Sequence, residues 1–252
     1  YAQDEVDNDG DGKIDELDEY MYKINATCKK VGTHCYIFVE DGQIVSDADV
    51  NHVANEFDTT IYPTDTDTFG SEPNVDGDTK IFILLLDIRD RNYHDPTYPY
   101  YVAGYFHPYQ ETTKPYSNHK DMIYIDVDPG DPGSSEYTIA HEFQHMIHWN
   151  QDADEDTWVD EGCAVYAEYV CYSYHEMNHV NAFVALPDTK LTPTDEEWYS
   201  SSGQQLLAHY GASYLWTLYL SEKYGDLSGI AAHEHFIKDL VAEHDNGITG
   251  VN

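Results

Sequence analysis

Two pentapeptides place a pair of histidines four residues apart with a glutamate after the first: His141-Glu142-Phe143-Gln144-His145 and His175-Glu176-Met177-Asn178-His179. On a helix, residues at that spacing share a face, so either imidazole pair can hold one divalent cation. The glutamate between them lies about 100° around the helix. From there it reaches a water on the cation without binding the cation, which is where a general base must stand. Around the first motif, Ile139, Phe143 and Ile147 form an apolar stripe on a different face, and Ser134 or Ser135 can cap a helix whose first turn carries Glu136.

A catalytic zinc commonly takes three protein ligands and keeps one position open. Fifteen residues lie between His145 and Glu161, enough to leave the first helix, turn through NQDADED and return on a second helix. Trp158 and Val159 give that helix an apolar side just before Glu161. Glu168 follows two turns later on the same face, where it can orient a metal-bound histidine. Asp160 sets a second carboxylate beside Glu161 and leaves an aspartate ligand open.

The second motif lacks such surroundings. Its candidate third ligands, Glu196 and Glu197, belong to Thr194-Asp-Glu-Glu197, which fits a helix-capping box with an acidic first turn. The expectation is a polar helix end with solvated histidines, and His148, His233 and His235 are read as surface residues likewise.

These groups need elements to position them. Cys35–Glu40 reads as a strand, DADVNHVANEFDTTIYP as a helix, Lys80–Asp87 as a buried strand, and Tyr101–Phe106 and Met122–Val127 as shorter strands. After residue 134 the pattern turns helical: SSEYTIAHEFQHMIHW, then DTWVDEGCAVYAEYVCYSYHEMNHVNAF, then GQQLLAHYGASYLWTLYLSEKYG. Strands first and helices afterwards predict an α+β fold, divided as 1–20, 21–150 and 151–252.

In the first of these stretches Asp7, Asp9, Asp11, Asp15 and Asp18 fall at positions 1, 3, 5, 9 and 12 of a calcium loop, with Lys13 offering its carbonyl and Gly12 near the turn. The turns NVDGD at 74–78 and DVDPGDPG at 126–133 are explained by turn chemistry alone.

The chain has 48 acidic and 12 basic residues, a formal charge of −36, which argues against nucleic acid or an anionic membrane as partner. No apolar run approaches the roughly 18 residues of a membrane span. Cys28 and Cys35 enclose a Gly32 turn and could pair. Cys163 and Cys171, if on one helix, stand about 12 Å apart along its axis, too far for a disulfide.

The stretch Trp158-Val-Asp-Glu161-Gly162-Cys-Ala164-Val-Tyr166-Ala-Glu168-Tyr resembles the second zinc motif of gluzincin metallopeptidases. Together with AHEFQHMIHWNQ, VAGYF at 102–106 and HYGASYLWTLYLSEKYG at 209–225, it is similar to the hyicolysin family of secreted neutral metallopeptidases. The resemblance runs loosely from about residue 35 onward, and its specific part is 139–169. It implies a zincin-like two-lobed fold, with a twisted sheet and the HExxH helix in one lobe and a mainly helical second lobe. It implies zinc held by His141, His145 and Glu161, Glu142 as the base, peptide or protein substrates, and an extracellular location. Such enzymes often stabilise the oxyanion with a downstream Tyr or His; Tyr210 is the first choice, with Tyr214 and His209 as rivals. An aminopeptidase, or a calcium-dependent binding protein on a silent peptidase fold, are the alternatives.

Overall fold

The structure, a computed structural model, describes residues 22–224 and 236–251. The calcium-loop residues Asp7, Asp9, Asp11, Lys13, Asp15 and Asp18 lie outside the described residues, as do His233 and His235.

Among the described residues five strands form one mixed sheet in the order β1-β2-β3-β5-β4: β1 Ala26–Val31, β2 Cys35–Glu40, β3 Ile81–Leu86, β4 Gly104–Phe106 and β5 Met122–Asp126. The central β2, β3 and β5 run parallel, while β1 and β4 are antiparallel edges. Period-two alternation turns Ile81, Ile83 and Leu85 to one face, where they meet Ile37, Val39, Ile123 and Ile125 in the main core. The opposite face carries a smaller cluster of Leu84, Leu86, Ile88, Met122 and Tyr124. Apolar residues on both faces explain the unbroken run in β3.

Helix α1 (Asp47–Glu56) continues through a π turn at Phe57–Ile61 into Tyr62–Thr68. Helix α2 (Glu136–Gln151) lies across the sheet, with Ile139, Phe143 and Ile147 all fully buried, as the stripe demanded. Each such side chain contributes roughly 1.5–3 kcal/mol on leaving water, and Phe143 also meets Phe57 edge-on at 5.0 Å. Ser135 occupies the cap position of α2, but its hydroxyl donates to the Pro132 carbonyl instead of accepting from the helix.

Helix α3 (Thr157–Tyr172) packs on α2, and its Trp158 and Val159 are fully buried, Trp158 meeting Trp216 edge-on at 4.8 Å. The long helical pattern that begins at α3 is broken. Ser173, at φ 53°, ends α3 in the left-handed conformation, and a separate helix α4 (Met177–Ala185) follows. Helix α5 (Gln204–Tyr224) packs on both α3 and α4. The short helix Asp195–Ser200 begins with the expected capping box of Thr194 and Glu197.

All four cysteines are free. The Cys28–Cys35 pairing is corrected by the register: Cys28 faces Phe38 across the hairpin, is exposed, and points its thiol at the Lys30 carbonyl. Cys35 is buried, its thiol beside Asp58.

Candidate metal centre and its cleft

Helix α2 projects His141 and His145 toward Glu161 in the first turns of α3. Glu161 Oε2 stands 3.3 Å from His141 Nε2 and 3.4 Å from His145 Nε2, aligned for a hydrogen bond with neither. Ligands about 2.0–2.1 Å from a tetrahedral zinc are separated from one another by roughly 3.4 Å. Two of the three separations match that value and all three atoms lie within 4.8 Å of one another, so they can face one small divalent cation. Among the described residues no other group of three or more His, Cys, Asp or Glu brings ligand atoms within 4.8 Å of one another.

The electrostatics of the cluster point the same way. Burial works against a charged His141, but the carboxylates of Glu161 and Glu168 outweigh it and raise the imidazole to about 10. His145 is raised well above its usual value against the same burial penalty, by Asp160 and Glu161. Glu161 is held down to about 2 despite burial, by His145 and His141. Without a cation, protons on the imidazoles take the charge that these carboxylates demand.

A surrounding ring of groups holds the imidazoles. His141 Nδ1 is 3.1 Å from Glu168 Oε1, and a proton donated there leaves Nε2 with its lone pair toward the common point. Asp160 places one oxygen 2.9 Å from His145 Nδ1 and the other 3.0 Å from His148 Nδ1. Glu142 is 7% exposed, and its Oε2 accepts the Phe106 backbone N–H of edge strand β4 at 2.8 Å. Burial raises its carboxyl, against the pull of His141 and His145.

Tyr210 on α5 donates its phenolic proton to Glu161 Oε1 at 3.1 Å. Burial, and then the charges of Glu161 and Glu142, raise it well above the usual phenol value, so it remains a donor. The approach of α5 depends on Gly162, the residue after Glu161: a Cβ there would meet Thr217 Oγ1 at 2.6 Å and the Ser213 carbonyl oxygen at 2.9 Å. The rivals to Tyr210 lie elsewhere. Tyr214 O–H pairs with His175 Nδ1 at 2.5 Å, and His209 Nδ1 is 3.1 Å from the Lys190 carbonyl.

The chain is similar to a neutral metalloprotease. It is 30% identical over 212 residues to the neutral metalloprotease ShpI of Staphylococcus hyicus, a match covering 78% of this chain and 47% of that protein. The chain thus spans about half the length of the curated relative it matches. No family model matches it.

The second pentapeptide does not form a helical pair. His175 precedes α4, and Glu176 caps that helix by accepting the Asn178 N–H. Glu197 holds the Thr194 N–H and Lys190. The expectation of solvated histidines fails for His179, which stacks on Tyr210 at 4.9 Å and is driven down to about 4, chiefly by burial. It fails for His148 too, which is 1% exposed. The fact that His148 stands one helical turn beyond His145 was the available signal, since three-residue spacing keeps it near the same face.

His141, Glu142, His145, His148, Asp160, Glu161 and Tyr210 share a cleft of about 370 Å³ with Phe106, Trp149, Asp152, Glu155 and Tyr199, of which the last four were given no role by the sequence reading. A larger cavity of about 590 Å³ lies against the other face of the sheet, lined by Phe38, Phe82, Leu84 and Met122. Its lining lacks metal-ligand groups, so donor chemistry and not volume selects the smaller cleft. Among the described residues no helix is long and apolar enough to cross a membrane.

Proposed function

We propose that the protein is a zinc-dependent endopeptidase of gluzincin type, acting outside the cell on peptide or protein substrates. The observation that carries this reading is the convergence of His141 Nε2, His145 Nε2 and Glu161 Oε2, with Glu142 beside them. The chain would divide near residue 150 into a sheet-bearing part and a helical part that meet at the cluster, as in zincins, and Asp7, Asp9, Asp11, Lys13, Asp15 and Asp18 would hold calcium.

His141, His145 and Glu161 would hold the zinc, which would supply Lewis-acid polarisation of the scissile carbonyl and the attacking water. Glu142 exchanges its hydrogen bond with the Phe106 N–H for the water, takes the water's proton and delivers it to the leaving nitrogen. Burial favours this role by making the carboxylate more basic. Tyr210, freed from Glu161, donates its hydrogen bond to the oxyanion as charge develops there. Glu168 and Asp160 fix the orientation of His141 and His145 through their Nδ1 atoms.

The test is casein hydrolysis with zinc analysis on the native protein and Glu142→Gln. The expected result is one zinc per chain in both, with a loss of activity of about 10²–10⁴-fold in the variant. Zinc bound without any peptide cleavage by the native protein, across several calcium and salt concentrations, would defeat the reading.

A further inference from the structure

The cleft carries more negative charge than a zinc site needs. Among the described residues its lining includes five carboxylates, Glu142, Asp152, Glu155, Asp160 and Glu161, and no lysine or arginine. Three of them belong to the metal cluster. Asp152 and Glu155 stand apart from it, on the loop between α2 and α3.

Asp152 is 5% exposed, and its Oδ2 is buried with no hydrogen-bond partner. Its other oxygen stands 3.9 Å from the largely exposed ring of His244, and the carboxyl also meets the backbone N–H and the carboxyl of Asp154. The Oδ2 atom thereby loses hydration without compensation, and a donor arriving in the cleft would restore it. Glu155 is fixed beside it: its Oε1 accepts the Asp156 N–H at 2.5 Å and the Gly247 N–H at 2.7 Å. Trp149 supplies an aromatic wall to the same cleft, suited to the stem or face of an organic cation. The pair does not make a metal cage, because no third ligand group joins it within the distance that unites the zinc cluster.

We propose that Asp152 and Glu155 form a subsite for an ammonium or guanidinium group of the substrate, so that cleavage favours lysine or arginine flanking the scissile bond. This rests on the peptidase reading above. The same cation chemistry could come from a free α-amino terminus, and the experiment separates the two.

Peptides identical except for Lys, Arg, norleucine or Glu on either side of the cleaved bond are compared, each with free and acetylated amino termini. The native enzyme is expected to cleave the best basic peptide at least about tenfold faster in kcat/KM than its norleucine counterpart. That ratio should fall toward one in Asp152→Asn and in Glu155→Gln, a loss of about tenfold that is within the range for loss of a charge-assisted hydrogen bond. A preference that follows the free terminus and vanishes on acetylation assigns the cation to the α-ammonium. Equal cleavage of basic and norleucine peptides, or a preference that survives both substitutions, overturns the subsite.

A second measurement requires no turnover: titration of zinc-loaded Glu142→Gln with argininamide and norleucinamide. Binding of argininamide alone, lost when Asp152→Asn is added, supports the subsite even if the native protein cleaves nothing, an outcome that would sink only the peptidase reading. Binding of the two amides that is equal and unchanged by Asp152→Asn overturns the subsite.

Discussion

His179 lies face to face with Tyr210, ring centroids 4.9 Å apart and planes 21° from parallel, while the Tyr210 hydroxyl donates to Glu161. A histidine from the second motif thus reaches the metal cluster through a tyrosine of α5. Replacing it with alanine removes the wall behind the phenol. His179→Ala is expected to lose about 1 kcal/mol of stability, the scale of an aromatic pair, and to lower kcat severalfold with little change in KM. His179→Phe restores the stack and most of the rate; denaturant unfolding and steady-state kinetics check both.

The stack depends on how closely α4 approaches α5. At Gly211 an added Cβ would overlap the His179 carbonyl oxygen and press on Phe183. Gly211→Ala is expected to cost about 1–3 kcal/mol, as overpacking does, although alanine favours an isolated helix. An unfolding midpoint equal to or above that of the native protein would show that the two helices can part without penalty.

Metal analysis distinguishes the two pentapeptides. His141→Ala removes a group that faces the common point, and is expected to abolish stoichiometric zinc. His175→Ala removes a ring held by Tyr214 and stacked on Tyr169, and is expected to retain one zinc per chain. The reverse pattern would overturn the site.

Asp65 gives a pH dependence. It is 0% exposed, its Oδ2 has no hydrogen-bond partner, and burial raises its carboxyl well above the usual range against a hydrogen bond from Cys171. The folded protein then holds a proton that the unfolded chain releases near pH ~3.9. Stability from this group is fully present below that pH and is lost as pH rises toward the folded value. Asp65→Asn cannot titrate, so urea midpoints measured between pH 5 and 8 should shift in favour of the variant as pH increases. A difference that stays constant over that range would refute the assignment.

Much of this was legible locally. Periodicity located β2, β3, α1, α2, α3 and α5, because the core face of each element writes its own spacing into the chain. The pairing of His141 with His145 is fixed by the pitch of one helix, and the neighbourhood of Glu161 by the apolar residues that bury α3 against α2. Breaks in pattern were less visible: Ser173 adopts a left-handed conformation that its side chain does not announce, so the residue that ends α3 and the start of a separate α4 are not marked by spacing. The shortness of β4, three residues at an edge, was likewise invisible to an alternation rule.

The sequence by itself determined which residue types could hold a cation and which helix face would carry two of them. Only the tertiary structure decided what else meets there. Tyr210, and neither Tyr214 nor His209, faces Glu161 because the packing of α5 beside Gly162 turns that one of the three toward it. His148 and His179 leave the surface because α3 and α5 cover them, and Asp152 and Glu155 enter the cleft because their loop spans α2 and α3. The physical reason is range: helical pitch and hydrophobic spacing act over a few residues, whereas these meetings are set by close packing between segments distant in the chain.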